Sequence, residues 1–322
     1  MKLLMSILPL LIVAALLYAG LFIKPKPVGA SVVKPIFERG DSFYGIALPS
    51  ATTIWAAGSN GKIVHSSNNG QSWTLQPTST SAALQDIAAW DVQRAVAVGN
   101  GGVVLTTRDS GMSWVEVTVP RSTIANKLMR VKTLPNGVAW AVGEGGVVLR
   151  SGDFGVSWSL AMKEEDAAWN DIFFVDHHGW LVGEFGRIKT SSDDGVTWKT
   201  IDSPVEASLM AVVFKDKLDG VAVGMEGLVM ATRDGGEQWM VVPPVTAEHL
   251  FDVIWDGAKW MVTGGNGVVL AASASAADWK PVLSTNQTRG WFTDIKHEEG
   301  RYYLAGATLT LLEGGILKNL SH

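Results

Sequence analysis

The sequence predicts an all-β fold, a seven-bladed β-propeller of four-stranded antiparallel blades, preceded by one N-terminal transmembrane helix. Three observations predict it. A glycine recurs at Gly58, Gly99, Gly143, Gly183, Gly224, Gly264 and Gly306, in steps of 41, 44, 40, 41, 40 and 42 residues, close to the length of one four-stranded blade. From each of the first six glycines a tryptophan follows 15 residues later, at Trp73, Trp114, Trp158, Trp198, Trp239 and Trp279. Ahead of the repeats, Leu3 to Ile23 is an uncharged, apolar run of 21 residues, long enough to cross a bilayer as a helix.

Taken in order, residues 1–30 read as a membrane anchor with a stiff stem, Lys24-Pro25-Lys26-Pro27. The rival reading is a cleaved signal peptide, since Val28-Gly29-Ala30 ends in small residues that a signal peptidase accepts. An apolar run longer than the usual signal core, with a charged stem behind it, favours the anchor. Lys2 on one side and Lys24 and Lys26 on the other leave orientation undecided. The chain has no cysteine, so neither a lipid-modified thiol nor a disulfide reports on compartment. Residues 31–322 read as one propeller domain, because closed β architectures often run this long. Outside the anchor and stem, 23 of the 26 basic residues stand against 31 acidic ones. That balance argues against nucleic-acid binding, which needs clustered Lys and Arg.

Each repeat reads as an inner strand A, a strand B ending at the periodic glycine, a strand C and an outer strand D. The A strands align on Ile46, Ile87, Val131, Ile172, Val212, Val253 and Ile295. Gly183 and Gly186 bracket the B–C turn of the fourth repeat and are expected to supply unusual backbone angles there. Strand C runs into Ser191-x-Asp193-x-Gly195-x-x-Trp198, where a carboxylate can accept local N–H groups and a glycine can take positive φ. The tryptophan is a core plug at the start of D. Truncating a buried one is expected to cost roughly 3 to 5 kcal/mol.

The turn recurs in full at Ser151-x-Asp153-x-Gly155-x-x-Trp158. It recurs with Thr for Ser around Asp109 and Asp234, and with Asn68 for Asp before Trp73. In the sixth repeat Ala272, Ala274 and Ala276 stand where the Ser, Asp and Gly belong. These turns match the Asp-box, or bacterial neuraminidase repeat. With Val-Gly-x-x-Gly before the box and Leu-x-Asp-Ile earlier still, residues 31 to 322 resemble the photosystem II stability and assembly factor-like propellers. The resemblance implies a periplasmic or lumenal propeller that assists a membrane complex. It is specific for fold and weak for function.

Register suggests how the ring closes. Counting back from Ile46 by the usual Trp-to-A spacing lands on Val32, so Val32 to Ile36 reads as a D strand that completes the seventh blade and leaves no free sheet edge. Ile316 to Leu320, after Gly314-Gly315, is the competing D strand, and the sequence does not order the two.

A search for chemistry returns binding rather than catalysis. Asp109, Asp153, Asp193 and Asp234 read as turn formers at the rim. Asp-box sialidases use three arginines, a Tyr-Glu pair and an acid-base Asp; the arginines here are scattered and the propeller part has only Tyr44, Tyr302 and Tyr303. A sialidase-like hydrolase or glycan-binding propeller is therefore the alternative rather than the leading reading. Asp176-His177-His178 lacks an evident third metal ligand, Gly99-Asn100-Gly101-Gly102 opens no helix for a phosphate, and no cofactor is expected. The leading reading is a membrane-tethered docking or assembly factor without enzymatic activity. In a photosynthetic host it would serve a photosystem II reaction-centre subunit; elsewhere it would be accessory to an inner-membrane complex such as an exporter.

Because strands alternate, the B–C turns share a face with the D–A connections, and the Asp-boxes share the opposite face with the A–B loops. The first face collects Asn60, Asn100, Glu144, Glu184, Glu226 and Asn266 from the turns. It also collects Asp86, Arg130, Asp171, Asp252 and Asp294 from the A strands, and Trp169 and Trp291 from the connections. These residues are the candidate docking surface for a basic or polar segment. The competing explanation is that the A-strand aspartates bond neighbouring backbone N–H groups and the two tryptophans cap the core.

Overall fold

The computed structural model describes residues 12–18, 35–122, 125–283 and 290–321. The chain divides into Met1–Pro35 and Ile36–His322. In the first unit residues 12–18 are helical, and most of the expected span from Leu3 to Ile23 lies outside the described residues. Among the described residues no helix is long and apolar enough to cross a membrane.

In the second unit the described residues form seven antiparallel sheets of four strands, each ordered as the chain runs. Blade 1 comprises Phe43–Ala47, Ile54–Gly58, Ile63–Ser66 and Thr74–Gln76. Blade 4 comprises Trp169–Val175, His178–Gly183, Ile188–Ser191 and Lys199–Ile201. The A strands of blades 2, 3, 5 and 6 are Leu84–Ala89, Leu128–Thr133, Leu209–Phe214 and Leu250–Trp255. B strands such as Ala95–Gly99 and Gly220–Gly224 are buried along their whole length, as expected of central strands covered on both faces. D strands are short and exposed; Val115–Glu116 and Ser159–Leu160 have two residues each.

The seventh blade is Phe292–Glu298, Arg301–Gly306, Thr310–Glu313 and Ile316–Asn319. Its D strand is thus the C-terminal candidate, which corrects the expectation for Val32 to Ile36. Val32 to Lys34 lie outside the described residues, and Pro35 and Ile36 belong to no strand. Closure comes from packing between the first and last blades. Phe37 sets its ring edge-on against Phe43 and Trp73, at 5.8 and 5.9 Å, and Ile36 and Leu320 join the same apolar cluster.

The periodic glycines serve a purpose other than the expected one. Gly183 has φ −163°, which any residue adopts, so unusual angles do not explain it. A Cβ there would collide with the carbonyl oxygen of Ala168, just before the A strand, and the other six glycines face the equivalent carbonyl in the same way. That carbonyl accepts the next N–H of the turn, as in Glu184 N–H to Ala168 O at 3.1 Å. The glycine therefore lets the B–C turn clamp the start of strand A. The expectation of positive φ holds for Gly186, at +66°.

The Asp-box hydrogen bonds are those the motif calls for. In blade 4 Ser191 Oγ accepts the N–H of Gly195 at 2.9 Å and donates to Asp193 Oδ1 at 2.8 Å, and Asp193 Oδ1 accepts the N–H of Thr197 at 2.8 Å. The hydroxyl and N–H of Thr197 hold the Asp193 carboxyl at about 2. Asp109, Asp153 and Asp234 are lowered in the same setting. The box is also an interblade joint: a Cβ on Gly195 would strike Trp140 of blade 3, and one on Gly236 would meet Trp180 of blade 4. In blade 6 Ser273 donates through both its N–H and its hydroxyl to Asp278 Oδ1, replacing the lost motif. Trp73, Trp114, Trp158 and Trp239 are buried, and Trp198 is half-buried. Trp114 donates to Gln76 Oε1 of blade 1 at 2.8 Å.

Candidate functional site

Every A strand carries a bulge one residue before the position of Asp86, visible as a register shift between Leu84 and Asp86 and at the equivalent place in all seven blades. A bulge re-aims the residue that follows it. Here it places Asp86, Arg130, Asp171, Asp252 and Asp294 in the centre of the ring, where all five are buried. They are therefore not part of an exposed face, which corrects their assignment to the docking surface. Each aspartate accepts the N–H of the core Ile or Val on the next blade: Asp86 from Val131 at 2.9 Å, Asp171 from Val212 at 3.1 Å, Asp252 from Ile295 at 3.0 Å and Asp294 from Ile46 at 2.7 Å.

Arg130 reaches across the channel. Its guanidinium donates to Phe251 O at 3.2 Å and Thr293 O at 3.4 Å, and lies 3.7 Å from Asp252 and 3.9 Å from Asp171. Lys132 pairs with Asp171 at 3.4 Å, and Lys296 with Asp294. Burial works against the charge on Arg130, but Asp252, Asp86, Asp171 and Asp294 outweigh it and raise its pKa. Burial pushes Asp86 to about 6 and Asp252 to about 7 against the pull of Arg130. At Asp294 burial is overcome by Lys296 and Arg130, so its pKa is lowered. Three cations thus face four carboxylates, each of which also accepts a backbone N–H, and the raised pKa values of Asp86 and Asp252 offset the excess of acidic groups.

The B–C turns lie on the face predicted for them, but their carboxylates are not equivalent. Glu144 and Glu184 open their turns and turn inward, accepting the N–H of Lys127 at 3.2 Å and of Ala168 at 2.8 Å. Glu226 stands one position later, exposed, at φ +58°. Asn100 is exposed and accepts from Gln85 at 3.1 Å. Of the two expected aromatic anchors, Trp169 is buried beneath the Arg187 guanidinium, 4.8 Å from its ring. Trp291 is half-buried and stacks on Tyr44, centroids 5.7 Å apart. The exposed aromatic on this face is one that sequence reasoning missed. Phe185 is 67 % exposed, at the tip of the blade 4 turn. A signal was present, because the other turns carry Asn60, Gly101, Gly145, Glu226 and Asn266 at that place.

On the opposite face a groove of about 890 Å³ lies over blades 3 and 4, lined by Trp140, Phe174, Arg150, His177 and Lys217 among others. His177 pairs with Asp194 at 2.8 Å, which raises its pKa, and His178 stacks on Trp180. Among the described residues no group of three or more His, Cys, Asp or Glu is placed to hold a metal ion.

Comparison with known proteins agrees with this architecture. The sequence matches the family described as Photosynthesis system II assembly factor YCF48 over residues 155–243 and 196–290. No curated protein sequence matches it. Among solved structures, YCF48 bound to D1 peptide superposes with a TM-score of 0.70 at 16% identity, covering 88% of this chain and 94% of that one. YCF48 from Cyanidioschyzon merolae gives 0.69 at 14% identity, with 89% and 98% covered. The GH74 xyloglucanase from Xanthomonas campestris gives 0.71 at 12% identity, covering 86% of this chain and 53% of the enzyme's. Identities this low carry the fold alone.

Proposed function

We propose, from the partial match to the photosystem II assembly factor family and the fold shared with YCF48, that this chain is a non-enzymatic docking factor receiving a polypeptide segment of a membrane protein complex. The segment from Leu3 to Ile23 holds it to an inner or thylakoid membrane, and the propeller stands in the periplasm or lumen. In a photosynthetic host the complex is photosystem II during assembly; elsewhere it is another inner-membrane assembly.

The observation that carries this reading is the state of the channel. Arg130 and the four aspartates are buried and bonded to each other and to the A strands, and Lys132 and Lys296, partly exposed, are paired with Asp171 and Asp294, so most polar groups left free for a partner are on the outer faces. The structural relative solved with a bound peptide supports a peptide as the kind of partner. The chemistry of the B–C face supports the same reading, because exposed turn residues on a rigid ring need little ordering when a partner binds.

Cross-linking of the full chain in its native membranes, followed by mass spectrometry of the captured partners, tests this. Recovery of a defined membrane-complex subunit in contact with the propeller is the expected result. Turnover of a glycan by the purified chain without a protein partner would overturn it. Because Glu144 and Glu184 brace the A strands, reversing their charge would disturb folding. Glu226 is the turn carboxylate suited to a charge-reversal test.

A further inference from the structure

Six blades hold the middle residue of the B–C turn in the left-handed region: Asn60 at φ +57°, Gly101 at +68°, Gly145 at +66°, Phe185 at +57°, Glu226 at +58° and Asn266 at +49°. Glycine and asparagine suit that conformation; a bulky aromatic residue is disfavoured there. A second phenylalanine shows what normally offsets the cost. Phe154, at φ +60° in the blade 3 Asp-box, sets its ring edge-on to Trp90 at 5.6 Å and lies 3.8 Å beneath the Arg94 guanidinium. Phe185 gains nothing comparable. It is 67 % exposed and contacts no other aromatic ring or cation among the described residues.

The backbone beneath Phe185 is fixed. Glu184 and Ala168 exchange two hydrogen bonds, at 3.1 and 2.8 Å, and Arg187 N–H closes the turn on Glu184 O at 3.2 Å. The ring is therefore held out on a rigid support, the arrangement that lowers the ordering cost of binding. Two connections that adjoin this turn are rich in acidic residues. The connection before blade 4 brings Glu164 and Asp166, while the connection that abuts Gly186 through Ser203 and Val205 brings Asp202 and Glu206. None of these four carboxylates has an ion-pair partner among the described residues. Of the nearby cations, Arg187 and Lys189 are committed to Glu165, while Lys163 is exposed and has no ion-pair partner among the described residues, so four carboxylates stand against one uncommitted ammonium.

We infer that Phe185 is the aromatic anchor of a docking site for a polypeptide segment carrying arginine beside an apolar side chain. The guanidinium packs on the ring face, where the negative quadrupole attracts it. The surrounding carboxylates supply steering and register, and the neighbouring apolar side chain covers the ring edge. This rests on the docking reading and names its site and partner chemistry.

The test uses the full chain in mild detergent and a dye-labelled, amidated short peptide alternating Arg and Leu, with a matched Glu-Leu peptide as control. Phe185→Asn installs the residue that blades 1 and 6 carry at this position, so it should fold as well as the parent. The expected result is binding of the Arg-Leu peptide, weakened by added salt and weakened about tenfold or more by Phe185→Asn. The melting temperature should be unchanged or raised, and the Glu-Leu peptide should not bind. Peptide binding indifferent to Phe185→Asn, or a melting temperature that falls with it, would overturn the inference. Cross-linking in native membranes separates the two readings. Capture of the same subunit by parent and Phe185→Asn chains would sink this site and leave docking standing; no capture by the parent would sink both.

Discussion

Asp294 on the last blade accepts the backbone N–H of Ile46 on the first, at 2.7 Å, between residues 248 apart in sequence. The same bond joins blade 2 to 3, 4 to 5 and 6 to 7, so the ring is closed at its centre by the contact that also fastens its interior. Asp294→Ala should therefore act as a closure mutation. It leaves a buried N–H unpaired and removes the partner of Lys296, a loss of about 3 kcal/mol. Asp294→Asn, whose amide oxygen still accepts, should lose less. Denaturant unfolding of the two variants checks the order; equal stabilities would show that the bond does not hold the ring shut.

Much of the fold was legible because two spacings are rigid. The step from periodic glycine to tryptophan does not vary from blade 1 to blade 6, since it spans a turn, strand C and the Asp-box, each of fixed hydrogen-bonded length. Closure was not legible, because D strands such as Val115–Glu116 and Lys280–Pro281 are two exposed residues long and leave no hydrophobic pattern to fix register. The candidate site failed for a related reason. Asp86, Arg130 and Asp252 sit one residue from core positions in sequence, but only the bulge and the ring together decide that their side chains meet, buried, at the centre. Phe185 needed one further step, a comparison of turn positions across blades.

The clamp glycines give a contrast. Gly183→Ala puts a Cβ into the carbonyl of Ala168 although φ is ordinary, whereas Gly101→Ala meets no atom within 4 Å and is disfavoured only by φ +68°. The first should cost more than the second, which should be about 1 kcal/mol. Thermal melts that rank them the other way would contradict the clamp.

Ser191 Oγ serves both Gly195 N–H and the Asp193 carboxylate. Ser191→Ala leaves a buried N–H unpaired at an interblade joint, and a loss of about 2 kcal/mol is expected. Because the box lies on the face away from the B–C turns, binding of the Arg-Leu peptide should persist below the melting point. A binding defect at unchanged stability would move the functional surface to the Asp-box face.

Stability should pass through a maximum in mildly acidic solution. Burial lifts Asp86 to about 6 and Asp252 to about 7, so the native chain keeps protons that the unfolded chain has already released. Their contribution favours folding at the acid end and is lost as pH rises through those values. Asp193, held at about 2 by Thr197, and Asp109, Asp153 and Asp234 run the other way. Their contribution is present above the ordinary carboxylate range and is lost as pH falls toward about 2. The melting temperature should therefore rise from about pH 8 to about pH 5 and fall again below about pH 4. Asp252→Asn separates the two limbs, since the amide still accepts the Ile295 N–H while its titration is gone. The alkaline slope should shrink by at most the equivalent of one proton, about 1.4 kcal/mol per pH unit, with the acid limb unchanged. An alkaline slope unaffected by Asp252→Asn would mean that the channel aspartate stays charged across this range and that its pairing with Arg130 outweighs its burial.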